Sequence, residues 1–297
     1  MARLHADEVA IETSVVRGLL ADQLLGSDHL ALTEVKSSGT DNAIYRLGRH
    51  LGVRLPRIPG ALAQIHQEHR WLERIAPHLS AALPLPLVKG APGRGYPFSW
   101  LLFRWIDGED MTQTEGADSC ALARSIATFV RELESVDPTG APLAQRRGAN
   151  LARYDEITRA ALEQVRDLID IGRAMTAWDD ALSAQPWPGA AVWLHGDLLP
   201  GNIVVRDDQV VGIIDWGAAG VGDPACDAMV GWSMPPEART VFFGELGFDA
   251  ATLARARGWV IHQAALFIPY YTQTLPEATA WATQRLAAAV ADEVSSR

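Results

Sequence analysis

Apolar residues recur close to helical spacing from Asp7 onward, at Val9, Ile11, Val15, Val16, Leu19 and Leu20, and Gly26 stands where such a helix stops. The pattern then changes period. Short alternating or β-branched runs over residues 31–36, 42–47 and 51–55 predict three strands, the last two joined through Gly48-Arg49-His50 as a hairpin. Pro56 and Pro59 break this run, and Leu62, Ile65, His69, Leu72, Ile75 and Leu79 mark one face of an amphipathic helix. Strands over 85–89 and 99–106 follow. The order helix, three strands, helix, two strands predicts an α+β lobe over residues 1–106.

Asp107-Gly108-Glu109-Asp110 and the polar residues up to 118 predict a crossing into a second lobe, 107–297, which is mainly helical. Leu122, Ile126, Phe129, Val130 and Leu133 form one helical stripe, and a second helical region spans 154–184, interrupted at Gly172. A β island at 192–194, 203–205 and 210–214 breaks the helical pattern, its last two strands turning through Asp207-Asp208-Gln209. Helices resume from Asp223, and the Ala-rich tail over 278–291 is expected as a surface helix.

Composition narrows the class. Hydrophobic residues make up 48% and charged residues 21%, which excludes disordered, collagenous and coiled-coil chains. The 36 acidic against 26 basic side chains leave a net charge of -10, arguing against a nucleic-acid or anionic-membrane partner and favouring a cationic one. Cys120 and Cys226 are too few for a disulfide framework or a cysteine zinc site, so a reducing, cytoplasmic setting is expected. The N-terminus turns acidic at once, without the apolar core of a secretion signal. Residues 259–271 form an apolar stretch broken by His262 and Gln263, well short of the roughly 20 residues a spanning helix needs.

The chemistry concentrates in the β island. His195-Gly196-Asp197-Leu198-Leu199-Pro200-Gly201-Asn202 is followed, twelve residues past Asn202, by Ile214-Asp215-Trp216-Gly217. Phosphoryl transfer needs an acceptor hydroxyl held in line and the phosphate charge neutralised. One carboxylate to hold the hydroxyl and take its proton, with an amide and a second carboxylate to hold Mg²⁺, suffices. Asp197, Asn202 and Asp215 offer that set. Four residues separate Asp197 from Asn202, the gap of the protein-kinase catalytic loop, and the hairpin after Asn202 returns Asp215 beside it. Taken singly, Asp and Asn residues usually stabilise loop turns; the full set in this order is what points to catalysis.

These stretches, with Gly222-Asp223-Pro224-Ala225-Cys226-Asp227, resemble the signature of the aminoglycoside phosphotransferases, in the protein-kinase-like superfamily that also holds choline kinases, fructosamine kinases and macrolide phosphotransferases. The resemblance implies a bilobal fold, a sheet lobe binding the nucleotide and a helical lobe carrying the catalytic loops. It implies Asp197 as catalytic base or hydroxyl positioner, Asn202 and Asp215 as magnesium ligands, and His195 and Asp227 as residues that shape the catalytic loop.

In the first lobe, residues 68–76 and Leu83-Pro84-Leu85-Pro86 are similar to the family's second helix and following strand. There Glu68 pairs with a basic residue on the preceding strand, usually lysine. This chain has only Lys36 and Lys89, neither on that strand, and Arg54 takes the place. Arginine grips two phosphate oxygens and stays charged, though its reach differs. Ser38, Gly39 and Thr40 lie where the family has its phosphate-covering loop, and a glycine there lets backbone amides approach a triphosphate. The adenine is expected against the backbone at 103–105.

The implied activity is a Mg²⁺-dependent small-molecule kinase with ATP or GTP as co-substrate. Its acceptor is a hydroxyl of an aminoglycoside-like antibiotic or related alcohol, with a macrolide or metabolite acceptor as the alternative. Acidic residues such as Asp223, Glu237, Glu245 and Glu277 could attract a cationic acceptor, although solvated helix faces carry the same residues. Ten tryptophans are unusual at this length; Trp216, Trp232 and Trp259 are expected in the core more than in a pocket. The missing lysine leaves one reading from another class, a nucleotide-binding regulatory protein with little turnover. Retention of Asp197, which such a protein does not need, favours the enzyme.

Overall fold

The computed structural model describes residues 8–35, 41–114, 119–144 and 147–292, and in these segments the side chains of all but residues 63, 64, 66, 67 and 69. Ser38, Gly39 and Thr40 lie outside the described residues.

Helix α1 (Thr13–Gln23) begins six residues later than the apolar pattern predicts from Asp7. The reason lies in the sheet: Val9 donates its N–H to the Arg57 carbonyl at 2.8 Å, and the Ile11 carbonyl accepts from the Tyr45 hydroxyl at 3.4 Å, so the first apolar residues run extended. Strands β1 (Leu32–Val35), β2 (Asn42–Leu47), β3 (Leu51–Pro56), β4 (Pro86–Gly90) and β5 (Trp100–Arg104) form one antiparallel sheet in the order β1-β2-β3-β5-β4. Along β2, Ala43, Tyr45 and Leu47 are buried while their neighbours are half-exposed, the period of a strand with one covered face. That face packs with Val16, Leu19 and Leu20 of α1.

Helix α2 (Ala61–Ile75) buries Ala61, Ile65, Glu68, Leu72 and Ile75, an alternating four-and-three step that defines one stripe of an α-helix. A carboxylate therefore occupies a core position. The helix ends at Ile75, short of the predicted Leu79, where residues 76–78 tighten into a 3₁₀ turn around Pro77. The far end of α2 joins the core of the second lobe through Leu72 and Ile75, and α2 packs against the turn at Trp216–Ala218.

The crossing at 107–110 is partly ordered as strand: β6 (Glu109–Asp110) pairs antiparallel with Val204 and Val205 of the later hairpin. Helix α3 (Ser119–Ser135) buries the predicted stripe Leu122, Ile126, Phe129, Val130 and Leu133. The predicted helix over 154–184 is two, α4 (Asp155–Gln164) and α5 (Ile171–Ser183). Their break falls at 165–170 and not at Gly172, which lies inside α5: the Asp170 side chain accepts the Arg173 N–H at 3.0 Å and starts a new helix there.

After strand β7 (Val192–Leu194), strands β8 (Ile203–Arg206) and β9 (Gln209–Ile213) make the predicted hairpin. Asp207 and Asp208 both take positive φ, at 52° and 57°, as a two-residue turn matched to strand twist requires. Strand β10 (Gly220–Gly222) pairs with β7, and α6 (Ala225–Ala228), α7 (Pro236–Leu246), α8 (Ala250–Tyr271) and α9 (Pro276–Ala291) complete the chain's described part. Helix α8 is central, burying Trp259, Val260, Ile261, Ala264 and Ala265. At Gly258 an added Cβ would lie 2.6 Å from the Ala181 methyl, so α5 approaches α8 to a distance only glycine permits. The Ala-rich tail is a surface helix on one side only, with Ala280, Trp281, Gln284 and Ala287 exposed. As α9 it buries Ala282, Arg285, Leu286, Ala289 and Val290 in the core around α8, because its small side chains let the two helices pack closely.

Trp216, Trp232 and Trp259 are buried in the two cores of this lobe, at most 2% exposed. Burying a tryptophan transfers enough area to contribute on the order of 4 kcal/mol. Among the described residues no helix is long and apolar enough to cross a membrane.

Candidate active site

Strand β7 delivers His195 and the loop after it to the junction of the lobes. Gly196 takes φ 77°, and a Cβ there would sit 2.5 Å from the Ala218 carbonyl oxygen, so the loop lies directly on the turn that follows Asp215. Asp227, at the start of the helical segment 225–228, fixes this loop. Its Oδ2 accepts the His195 N–H at 2.6 Å and its Oδ1 the Gly196 N–H at 2.9 Å. Asp227 is buried, and that burial pushes its pKa up against the opposing pull of His195 and the two N–H groups.

His195 is fully buried with both ring nitrogens engaged. Nδ1 accepts the Asp197 N–H at 3.2 Å, which puts the proton on Nε2, where it is donated to the Ile214 carbonyl at 3.0 Å. One imidazole thus ties Asp197 to the residue before Asp215. Asn202 lies at the opposite foot of the same hairpin: its carbonyl accepts the Ile214 N–H at 2.9 Å, and its Nδ2 donates to the Asp197 carbonyl at 2.9 Å. The Asn202 Oδ1 is left as an oxygen donor. Asp215 takes the left-handed conformation, φ 64° and ψ 64°, and its side chain is 41% exposed.

Arg54, on β3, reaches this group from the other lobe. Its Nη1 donates to both Glu68 oxygens at 2.6 Å, and its Nη2 stands 3.5 Å from Asp215 Oδ1. Burial alone would lower the Arg54 pKa, but the carboxylates of Glu68 and Asp215 outweigh it and hold the group charged. Among the described residues its Nη2 is buried with no hydrogen-bond partner, a donor that a phosphate oxygen would satisfy. The structure therefore brings Arg54, Glu68, His195, Asp197, Asn202, Asp215 and Asp227 into one cluster at the lobe junction.

Asn202 and Asp215 present two hard oxygen donors on adjacent feet of one hairpin, and among the described residues no group of three or more His, Cys, Asp or Glu side chains accompanies them. That sparse set suits Mg²⁺, which keeps several waters and takes further oxygens from bound phosphates.

Three residues near Asp197 were not anticipated. Arg147 donates to Asp197 Oδ1 and, at 3.3 Å, to the Gly196 carbonyl; Gln263 Nε2 donates to the same Oδ1 at 3.4 Å. Arg285 Nη2 donates to Gln263 Oε1 at 2.5 Å. Asp197 Oδ2 has no hydrogen-bond partner among the described residues. Arg285 lies on the buried stripe of an otherwise small and apolar helix, a phase mismatch that sequence could have flagged. Arg147 follows an irregular stretch and carries no such signal.

Asp223, read from the sequence as a carboxylate that could draw a cation, is spent elsewhere. It forms a two-point ion pair with buried Arg255, at 2.6 and 3.1 Å, and caps the Ala225 N–H. Glu237, Glu245 and Glu277 are exposed on helix surfaces. The strand end expected to face adenine carries Phe103 stacked on Trp105 at 6.4 Å, and a cavity of about 490 Å³ opens beside Trp105, Ile106 and Val211. Asp197, Asn202 and Asp215 do not line it.

Comparison with known proteins decides the family. Residues 33–265 match the model of the phosphotransferase enzyme family. The chain belongs to this family. An uncharacterized protein of Bacillus subtilis (strain 168), YcbJ, is 27% identical over 160 residues, 50% of this chain and 48% of that protein; the chain thus matches about half the length of this curated relative. Among solved structures, the GDP and kanamycin complex of an aminoglycoside phosphotransferase, APH(2"), shares the fold with TM-score 0.70 at 16% identity, covering 91% of this chain and 95% of that one. A macrolide 2'-phosphotransferase from Brachybacterium faecium gives TM-score 0.61 at 24% identity, covering 94% and 98%. Macrolide 2'-phosphotransferase type I gives 0.64 at 22%, covering 94% and 99%. The phosphotransferase-family chain has the bilobal, kinase-like α+β fold of these structures.

Proposed function

We propose that this chain transfers the γ-phosphoryl group of a nucleoside triphosphate, ATP or GTP, to a hydroxyl of a small molecule. The observation that carries the reading is the state of Asp197: Oδ1 is held by Arg147 and Gln263, while Oδ2 has no partner among the described residues and is open to an incoming hydroxyl. The acceptor O–H proton passes to Asp197 as the oxygen bonds to the γ-phosphorus, and the bond to the bridging oxygen breaks to release the nucleoside diphosphate.

The surrounding residues have distinct tasks in this reading. His195 and Asp227 fix the loop that carries Asp197, and Asn202 braces it from the hairpin. Arg54 offers its unpartnered Nη2 to a phosphate oxygen, with Glu68 holding the guanidinium in place. Asn202 Oδ1 and Asp215 would hold Mg²⁺, which when bound neutralises charge on the phosphates. Ser38, Gly39 and Thr40, outside the described residues, are assigned to the phosphates on the sequence resemblance, with 1–106 as the nucleotide lobe and 107–297 as the catalytic and acceptor lobe. A cytoplasmic setting accords with a chain that has only two cysteines.

Aminoglycosides and macrolides enter the acceptor panel because structures of similar fold are named for them, one as a kanamycin complex. The test is acceptor mass gain after incubation with Mg²⁺, ATP or GTP and a panel of aminoglycosides, macrolides and amino-alcohols. A gain of one phosphoryl group that disappears in Asp197→Ala, with nucleotide binding kept, is the expected result. Full activity in Asp197→Ala would overturn the mechanism, and tight nucleotide binding with no transfer to any acceptor would favour the regulatory alternative.

A further inference from the structure

The acceptor side of Asp197 is built around two guanidinium groups and one carboxylate. Arg147, its side chain 28% exposed, pairs with Asp197. Among the described residues Arg285, 8% exposed, donates only to the neutral Gln263 side-chain carbonyl and leaves its Nε buried without a partner. Of the other carboxylates of this lobe, Asp223 pairs with Arg255, Asp227 accepts the N–H groups of His195 and Gly196, and Asp215 faces Arg54 while acting on Arg147 from a distance. Arg285 is thus a buried guanidinium whose hydrogen bond goes to a neutral amide, and burying a charge without an ionic partner costs several kcal/mol.

His262, on α8 one residue before Gln263, is pushed down to about 4 by burial and by Arg147, so its ring is neutral at physiological pH. Burial, with Arg147 adding to it and Asp197 opposing, lowers Arg285 to about 10. The Thr158 hydroxyl donates to the Tyr154 carbonyl at 2.7 Å, so its oxygen accepts the His262 Nδ1 proton at 2.8 Å, and Nε2 carries none. A polycation would meet two arginines here; an oxyanion could satisfy the unpartnered Arg285 Nε–H.

We infer that Arg285 and Arg147 form an oxyanion subsite beside Asp197, and that the acceptor is a small alcohol bearing a carboxylate or phosphate group. This deepens the kinase reading and rests on it for the word acceptor, but binding at the subsite stands apart from turnover. An anionic group seated on Arg285 would orient the neighbouring hydroxyl toward Asp197 Oδ2 and supply the ionic partner that Arg285 lacks.

The test is calorimetric binding of glycerate, glycerol 3-phosphate, glycerol and kanamycin to the wild type and to Arg285→Gln, Arg285→Lys and Asp197→Ala, each first checked for an unchanged thermal midpoint and nucleotide affinity. At least one of the two oxyanions should bind the wild type at least tenfold more tightly than glycerol or kanamycin. That preference should fall at least tenfold in Arg285→Gln, return in part in Arg285→Lys, and persist in Asp197→Ala. If Arg285→Gln does not fold, Arg147→Gln replaces it and should show the same loss. Binding of kanamycin as tightly as either oxyanion, no binding of either oxyanion, or oxyanion binding indifferent to both arginines would overturn the subsite. Oxyanion binding without phosphoryl transfer would leave the subsite standing and remove the kinase reading; transfer to kanamycin alone would do the reverse. Which oxyanion binds separates a hydroxy acid from a sugar-phosphate type of acceptor.

Discussion

Asp227 accepts the backbone N–H of His195 at 2.6 Å and, through its other oxygen, that of Gly196 at 2.9 Å, so one buried carboxylate fixes two consecutive peptides just ahead of Asp197. An asparagine of the same shape has one acceptor and one donor there, and the donor would face an N–H. Asp227→Asn is therefore expected to cost roughly 2 to 3 kcal/mol of stability and to lower kcat more than it raises the nucleotide KM. Urea denaturation with steady-state kinetics checks both; an unchanged midpoint would show that the loop is held by other contacts.

Arg54 and Glu68 make a second buried arrangement that removal of one partner should expose. Arg54→Ala leaves Glu68 buried without a countercharge, a loss expected at about 3 to 5 kcal/mol, together with a higher nucleotide KM and a lower kcat. Arg54→Ala combined with Glu68→Ala should regain most of the stability and none of the nucleotide affinity. Unchanged kinetics in the single variant would take Arg54 out of the site.

How far the sequence reveals this arrangement depends on where each residue's constraint originates. The five strands of the first lobe and the β8–β9 hairpin are legible because alternation and turn residues act locally. The loop around Asp197 is legible from spacing, since the hairpin register alone brings Asn202 beside Ile214. The start of α1 is not, because its first apolar residues are drawn into the sheet by Arg57, 48 positions after Val9 in the chain. Nor is the setting of α9, whose alanines suit a surface helix equally well until α8 is packed against them. Glu68 and Arg285 share a partial signal, a charge at a buried phase of a helical stripe. Arg147 depends wholly on long-range folding.

Gly196 is held at φ 77° with the Ala218 carbonyl where a side chain would begin. Gly196→Ala thus meets both an unfavourable backbone conformation and a 2.5 Å contact that backbone cannot easily relieve. The expected cost is about 2 kcal/mol or more, with transfer activity falling further than stability because the turn after Asp215 is displaced with the loop. By contrast Gly244→Ala, in open space on α7, should raise stability by roughly 0.5 to 1 kcal/mol and leave activity unchanged. Equal behaviour of the two variants in thermal unfolding would contradict this account.

Glu134, on α3, has a buried Oε1 without a hydrogen-bond partner, and burial, with Asp227 adding to it and Arg131 opposing, raises its pKa to about 7 from the usual 4.5. Between those two values the folded protein holds a proton that the unfolded chain releases. The stabilising contribution is therefore fully present below about pH 4.5 and is lost as pH rises through about 7. Glu134→Gln presents a neutral group at every pH, so it should match the parent near pH 5 and exceed it above pH 8 by roughly 2 to 3 kcal/mol. Histidines that titrate in the same range are common to both proteins and cancel in the difference. Urea denaturation of the pair from pH 5 to 8.5 measures this directly: curves that converge at low pH and separate at high pH are expected, and parallel curves would mean that the Glu134 carboxyl finds water or a partner that keeps it ionised in the folded state.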